Sequence, residues 1–102
     1  MKVRFSPRAA RRVEMVARWW HQNRLGAATL FDDELETAIA TVLGHPTIGM
    51  EYAVVRGVSI RRLLLPTSAQ HLYYAVDDKD DAIVIHSVWG ARRGRQTWAG
   101  SR

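Results

Sequence analysis

The chain contains no cysteine, which removes disulfide bridges and thiolate chemistry and fits a reducing compartment. Lysine is nearly absent too. Of 15 basic residues only Lys2 and Lys79 are lysine, and all the others are arginine. Lysine is the base whose pKa is readily tuned for proton transfer, whereas arginine offers a planar donor fork for carboxylates and phosphates. The chain is therefore equipped to grip anions rather than to run lysine-based catalysis. No apolar run approaches the ~20 residues of a membrane span. Met1 to Pro7 lack the apolar stretch of a signal peptide. A soluble, cytoplasmic protein without membrane contact is expected. There is no Gly-rich phosphate loop, nucleophile elbow or paired-Cys zinc motif. No histidine or further carboxylate at metal-ligand spacing joins the acids at 32–36. Neither a metal nor any other cofactor is expected.

What is present fits one domain spanning 1–102, with 47% hydrophobic and 25% charged residues. The net charge of +5, carried by arginine, points to nucleic acid or an acidic protein as partner.

Lys2 to Ser6 alternates, Val3 and Phe5 against Lys2 and Arg4, as a short strand with one buried face. Ser6-Pro7 is a helix start, with a side-chain cap followed by proline at the first helical position. The first helix is expected over 7–24, with Ala9, Val13, Val16, Ala17 and Trp20 as its core stripe. Met15 and Trp19 lie off that stripe among Arg8, Arg12 and Gln22. Either a second helix covers them, or they form a patch for a partner. The second helix is expected over 27–43, with Phe31, Leu35, Ala38, Ile39 and Val42 inward, ended by Gly44 and Pro46. Asp32, Asp33, Glu34 and Glu36 favour its positive end and face the arginines of the first helix in a hairpin.

Beyond 51 the period changes to two. Strands are expected over 52–56, 58–65, 70–76 and 83–89, joined by short turns. The fold class is thus α+β: a short N-terminal strand, an α-helical hairpin, then a three- to four-stranded antiparallel meander. Arg61 and Arg62 must point to opposite faces. His71 and Tyr73 share one face, Leu72, Tyr74 and Val76 the other, and His86 goes with Val84 and Val88. The open face is expected to gather Arg61, His71, Tyr73 and the arginines that follow the last strand.

That last stretch organises the chain. The apolar strand ending at Trp89 runs into Arg92, Arg93 and Arg95, with Trp98 close behind and no acid after Asp81. Arginine with tryptophan is the composition of binding hot spots and of stacking platforms.

The order and spacing of these pieces resemble the RelE/ParE superfamily of type II toxin–antitoxin toxins. The matching residues are Ser6-Pro7, Trp19-Trp20, His45-Pro46 with Gly49, Gly57 with Ile60-Arg61-Arg62-Leu63, His71 to Asp77, and Ile83-Val84-Ile85 through Val88-Trp89-Gly90-Ala91-Arg92-Arg93-Gly94. The resemblance implies a cytoplasmic growth inhibitor of the plasmid-stabilisation type, held in a hetero-oligomer by a cognate antitoxin. It implies an antitoxin surface at Arg8, Arg12, Met15, Trp19 and Arg61, and a target surface at Arg92, Arg93, Arg95, Trp98 and Tyr73. ParE-like members poison DNA gyrase without a catalytic centre of their own. RelE-like members cut mRNA on the ribosome, and here a nuclease site would draw on Arg61, His71, His86 and Arg92. The sheet has no lysine, and Trp98 and Arg102 stand where RelE-like enzymes often place a tyrosine. The resemblance therefore favours the ParE-like activity. A member that only binds its antitoxin is the remaining alternative.

Overall fold

Ser6 joins the two ends of the described chain. Its Oγ accepts the Ala9 N–H at 3.0 Å, capping the helix that Pro7 opens, and donates to the His86 carbonyl at 3.2 Å. Its own N–H donates to the Ile85 carbonyl at 2.9 Å. The computed structural model describes residues 1–92. In it β1 (Lys2–Phe5) lies parallel to the final strand β5 (Ala82–Gly90), with Lys2 opposite Ala82 and Phe5 opposite Ile85. β2 (Met50–Val55), β3 (Val58–Leu65) and β4 (Gln70–Asp77) complete the sheet in the order β1-β5-β4-β3-β2. The expected meander is four strands long, and β1 adds a fifth beside its end.

Helix α1 (Pro7–Asn23) closes with the Arg24 N–H on the Trp20 carbonyl. A 3₁₀ turn at Leu25–Ala27 then reverses the chain, so α2 (Leu30–Gly44) begins three residues later than its apolar pattern suggests. Both predicted stripes are buried against one face of the sheet. Ala9, Val16, Phe31, Leu35, Ala38 and Val42 meet Leu65, Leu72, Tyr74, Ile83, Ile85 and Val88. Fully burying one such side chain as Phe31 contributes about 1.5–3 kcal/mol. The pair observed between the charged sides of the helices is His21 with Asp32, at 2.7 Å, while Glu34 turns toward the sheet.

The opposite face carries a second, smaller cluster: Ile60, Tyr73 and Ala75, with Tyr52, Ala53, Val55 and Trp89 against them. A bulge controls which side chains reach it. Tyr73 pairs with Ser87 but Tyr74 pairs with Ile85, leaving His86 as the extra residue. The alternation therefore breaks at His86. Val88 enters the helix-side core, while His86 lines a hollow with Val84 and Ala75 on the other face. The expectation that His86 shares a face with both Val84 and Val88 is corrected by this one inserted residue.

Candidate partner groove and open sheet face

A groove of ≈ 560 Å³ runs between the second half of α1 and the β3–β4 turn, with the end of β5 at its mouth. Arg12, Met15, Trp19, Trp20 and Arg24 line its helical wall, the turn 66–69 the other, and Arg92 stands at the end of β5. Helical spacing explains the first wall. Residues 12, 15, 16 and 19 share one side of α1, and Trp20 and Arg24 continue it one turn on. Arg12 is held in place twice. Its Nε donates to the Val88 carbonyl at 3.3 Å, and its guanidinium lies 4.8 Å from the centre of the Trp89 ring. Arg24 lies 5.7 Å from the Trp19 ring, which meets Trp20 edge-on at 5.6 Å. Among the described residues no carboxylate lines the groove. Three guanidinium groups and the side chains of Met15, Trp19 and Trp20 thus line one hollow, whose chemistry is complementary to acidic and apolar groups.

The second helix does not cover this wall. Met15 is 57% and Trp19 48% exposed, because α2 packs on the other side of α1. Of the two accounts of this pair, coverage by the second helix is the one that the exposure of both side chains excludes. The groove also joins residues that the sequence divided between two surfaces. Arg12, Met15 and Trp19 belong to the expected antitoxin set and Arg92 to the target set, yet all line one hollow. Arg8 sits one helical turn before Arg12 and outside the groove lining. Arg93, Arg95 and Trp98 lie outside the described residues.

The open face differs from the expected grouping at two places. Arg61 pairs across the sheet with Tyr74, a helix-side residue, and its Nη1 donates to the carbonyls of Thr47 (3.2 Å) and Gly49 (2.6 Å). Arg62 takes the open-face position instead, opposite Tyr73, with its guanidinium 4.7 Å from the Tyr52 ring centre. Sequence placed the two arginines on opposite faces correctly but assigned the wrong one to the open side. Tyr73 is only 1% exposed, packed edge-on against Tyr52 at 5.1 Å and His71 at 6.0 Å. A hydroxyl so covered is a core group rather than a contact for a target. Burial pushes it above the ordinary tyrosine range, against the opposing hydrogen bond from Arg62.

The nuclease candidates do not assemble. Arg61 serves the helix side. His71 stands opposite Trp89 near the β3–β4 turn, and burial with the nearby Arg62 charge lowers its pKa. His86 lies mid-strand at the β5 bulge, lining a hollow of ≈ 600 Å³ with Arg4, Ala75 and Val84, and burial lowers its pKa. Arg92 is exposed at the groove mouth. Sequence reasoning missed Arg24 and the turn 66–69. The first was legible as the next turn after Trp20, whereas the second depends on a tertiary contact with no sequence signal. Among the described residues no group of three or more His, Cys, Asp and Glu could hold a metal. No described helix is long and apolar enough to cross a membrane.

The sequence matches no curated protein. Solved structures that share the fold include two of a bacterial toxin. One is the intact E. coli RelBE toxin–antitoxin complex, 20% identical with a TM-score of 0.59, covering 90% of this chain and 98% of that one. The other is the isolated E. coli RelE toxin, 22% identical with a TM-score of 0.56, covering 91% and 86%. The family model described as "ParE toxin of type II toxin-antitoxin system, parDE" matches residues 3–94, from β1 past Arg92, and so takes in every element that builds the groove. The chain belongs to the ParE toxin family of type II toxin–antitoxin systems.

Proposed function

We propose that this toxin acts in the cytoplasm as a ParE-like poison of DNA gyrase, and that its antitoxin neutralises it by filling the groove along α1. The observation that carries the target reading is the dispersal of Arg61, His71, His86 and Arg92. Arg61 serves the helix side at mid-strand, His86 lies at a similar level on the opposite face, and His71 and Arg92 stand nearer the β3–β4 turn, whereas general acid–base chemistry needs its groups within hydrogen-bond reach of one reacting centre. The surface works instead by binding, with guanidinium and indole groups offered to a macromolecule.

The groove accounts for neutralisation. An antitoxin segment with acidic and apolar residues would pair with Arg12, Arg24 and Arg92 and cover Met15 and Trp19. A segment that orders on binding loses conformational freedom, so charge-assisted contacts and a buried apolar ridge are what make it hold. Because Arg92 stands at the mouth of the same groove, antitoxin seated there masks part of the target surface.

Purified chain incubated with gyrase, ATP and supercoiled plasmid should leave linear plasmid after detergent and protease treatment, and expression should induce the DNA-damage response. Unaltered gyrase together with cleaved mRNA on stalled ribosomes would replace this reading with the RelE-like one. Normal growth on expression without antitoxin would leave antitoxin binding as the sole activity.

A further inference from the structure

The groove's second wall is a turn, and a turn needs something to hold it. At Pro66–Ala69 that something is an acid from α2. Glu34 Oε2 accepts the Thr67 N–H at 2.8 Å, and Oε1 accepts both the Ser68 N–H at 2.9 Å and the Ser68 hydroxyl at 2.6 Å. Ala69 follows with φ of 55°, a left-handed conformation unusual for a residue with a Cβ. Its carbonyl accepts the Ala91 N–H at 2.8 Å, which ties the turn to β5 next to Arg92. Glu34 does not itself line the groove. Position 34 reads in sequence as one of four acids at the positive end of a helix dipole, but the structure gives it a separate task.

We infer that Glu34 is a positioning residue for the groove, fixing the 66–69 wall at its distance from Trp19 and so setting the fit of the antitoxin segment. This rests on the reading that antitoxin occupies the groove. The chemistry is specific to a carboxylate. Three donors converge on two acceptor oxygens, and an amide of the same shape would replace one oxygen with an NH₂ group facing a donor. The wall would lose at least one of its three bonds and gain a donor–donor clash, although nothing touching the antitoxin had changed.

The test titrates the purified chain with the antitoxin polypeptide encoded beside it, comparing Glu34→Gln, Trp19→Ala, the double variant and Tyr74→Phe. The last removes hydrogen bonds to Pro46 and Gly49 and serves as a control for general loss of stability. Glu34→Gln should raise Kd about tenfold, as expected for losing a hydrogen bond to a charged acceptor. Tyr74→Phe, at a comparable loss of Tm, should leave Kd unchanged, and the Glu34–Trp19 cycle should be non-additive. Wild-type affinity in Glu34→Gln with weakened Trp19→Ala would overturn the role of Glu34 and leave the groove reading standing. Equal weakening in Glu34→Gln and Tyr74→Phe would also overturn it, since destabilisation alone would then suffice. Wild-type affinity in Trp19→Ala would remove the groove reading itself, and this inference with it.

Discussion

The Tyr74 hydroxyl accepts the Gly49 N–H at 2.8 Å and donates to the Pro46 carbonyl at the same distance. Tyr74 is fully buried, so the bond from Gly49 forms out of water, while the one to Pro46 is partly buried. Together with Arg61 they fix the connection from α2 into β2. Gly49 is required by space rather than by φ: a Cβ there would stand 2.7 Å from Tyr74 Oη and 3.0 Å from the Arg62 carbonyl oxygen. Gly49→Ala should therefore destabilise the fold by about 1–3 kcal/mol through overpacking. Tyr74→Phe should cost about 1–3 kcal/mol by leaving the Gly49 N–H without its acceptor. Urea denaturation of both variants measures this, and a Gly49→Ala midpoint equal to wild type would refute the packing account.

Acidification should lower the stability of the protein in two pH ranges. His71 and His86 have pKa values lowered mainly by burial, with the Arg62 charge adding to His71. Their unfolded forms bind protons more readily than their folded forms. The stability they contribute is present above about pH 6.5 and declines as pH falls below it. Glu34 acts at lower pH. Burial works to raise its pKa, but the hydrogen bonds from Ser68 and Thr67 outweigh that and hold it below the ordinary value. Its contribution is present above about pH 4.3 and disappears as pH drops through the lowered folded value. Glu34→Gln should flatten the stability profile below pH 4.3 only. His71→Gln should flatten the decline that begins below about pH 6.5. Thermal unfolding across this range tests both, and a loss of slope in the wrong window would contradict the assignment.

Periodicity made the architecture legible. The α1 and α2 stripes, the four meander strands and the Ser6-Pro7 helix start all follow from local rules, although α2 starts late, at Leu30, and β2 early, at Met50. The site was legible only in part, for physical reasons attached to particular residues. The alternation rule assumes an unbroken pleat, so the bulge that sends His86 and Val88 to different faces leaves no mark on it. The same rule separates Arg61 from Arg62 but cannot say which one faces the helices, because that depends on the pairing of β3 with β4. Whether Met15 and Trp19 are covered depends on which side of α1 receives α2. Glu34 looks like its acidic neighbours until the β3–β4 turn arrives above it.

Trp19 offers a clean separation of stability from recognition. Its side chain is 48% exposed, so Trp19→Ala should change folding stability by no more than about 0.5 kcal/mol beyond the loss of its edge contact with Trp20. As an anchor in the groove it should be a binding hot spot, worth about 2 kcal/mol or more, or roughly 30-fold in antitoxin Kd. Calorimetric unfolding and antitoxin titration on the same preparation distinguish the two effects. A large fall in Tm with unchanged Kd would mean that Trp19 is a packing residue.

The target question reduces to a difference in magnitude at two histidines. A positioned general acid or base supplies about 10²–10⁴-fold in rate, so removing one from a nuclease would abolish its activity for practical purposes. On a gyrase-poisoning surface, His71 and His86 contribute only packing and local polarity. His71→Ala and His86→Ala should then keep toxicity within a few-fold of wild type once expression levels are matched. Arg92→Ala, at an exposed position on the proposed binding surface, should reduce toxicity more than either. Plating efficiency after induction without antitoxin reads all three variants. A hundredfold rescue by His71→Ala or His86→Ala, with Arg92→Ala still toxic and the folded state intact by circular dichroism, would place acid–base chemistry on the sheet and overturn the gyrase reading.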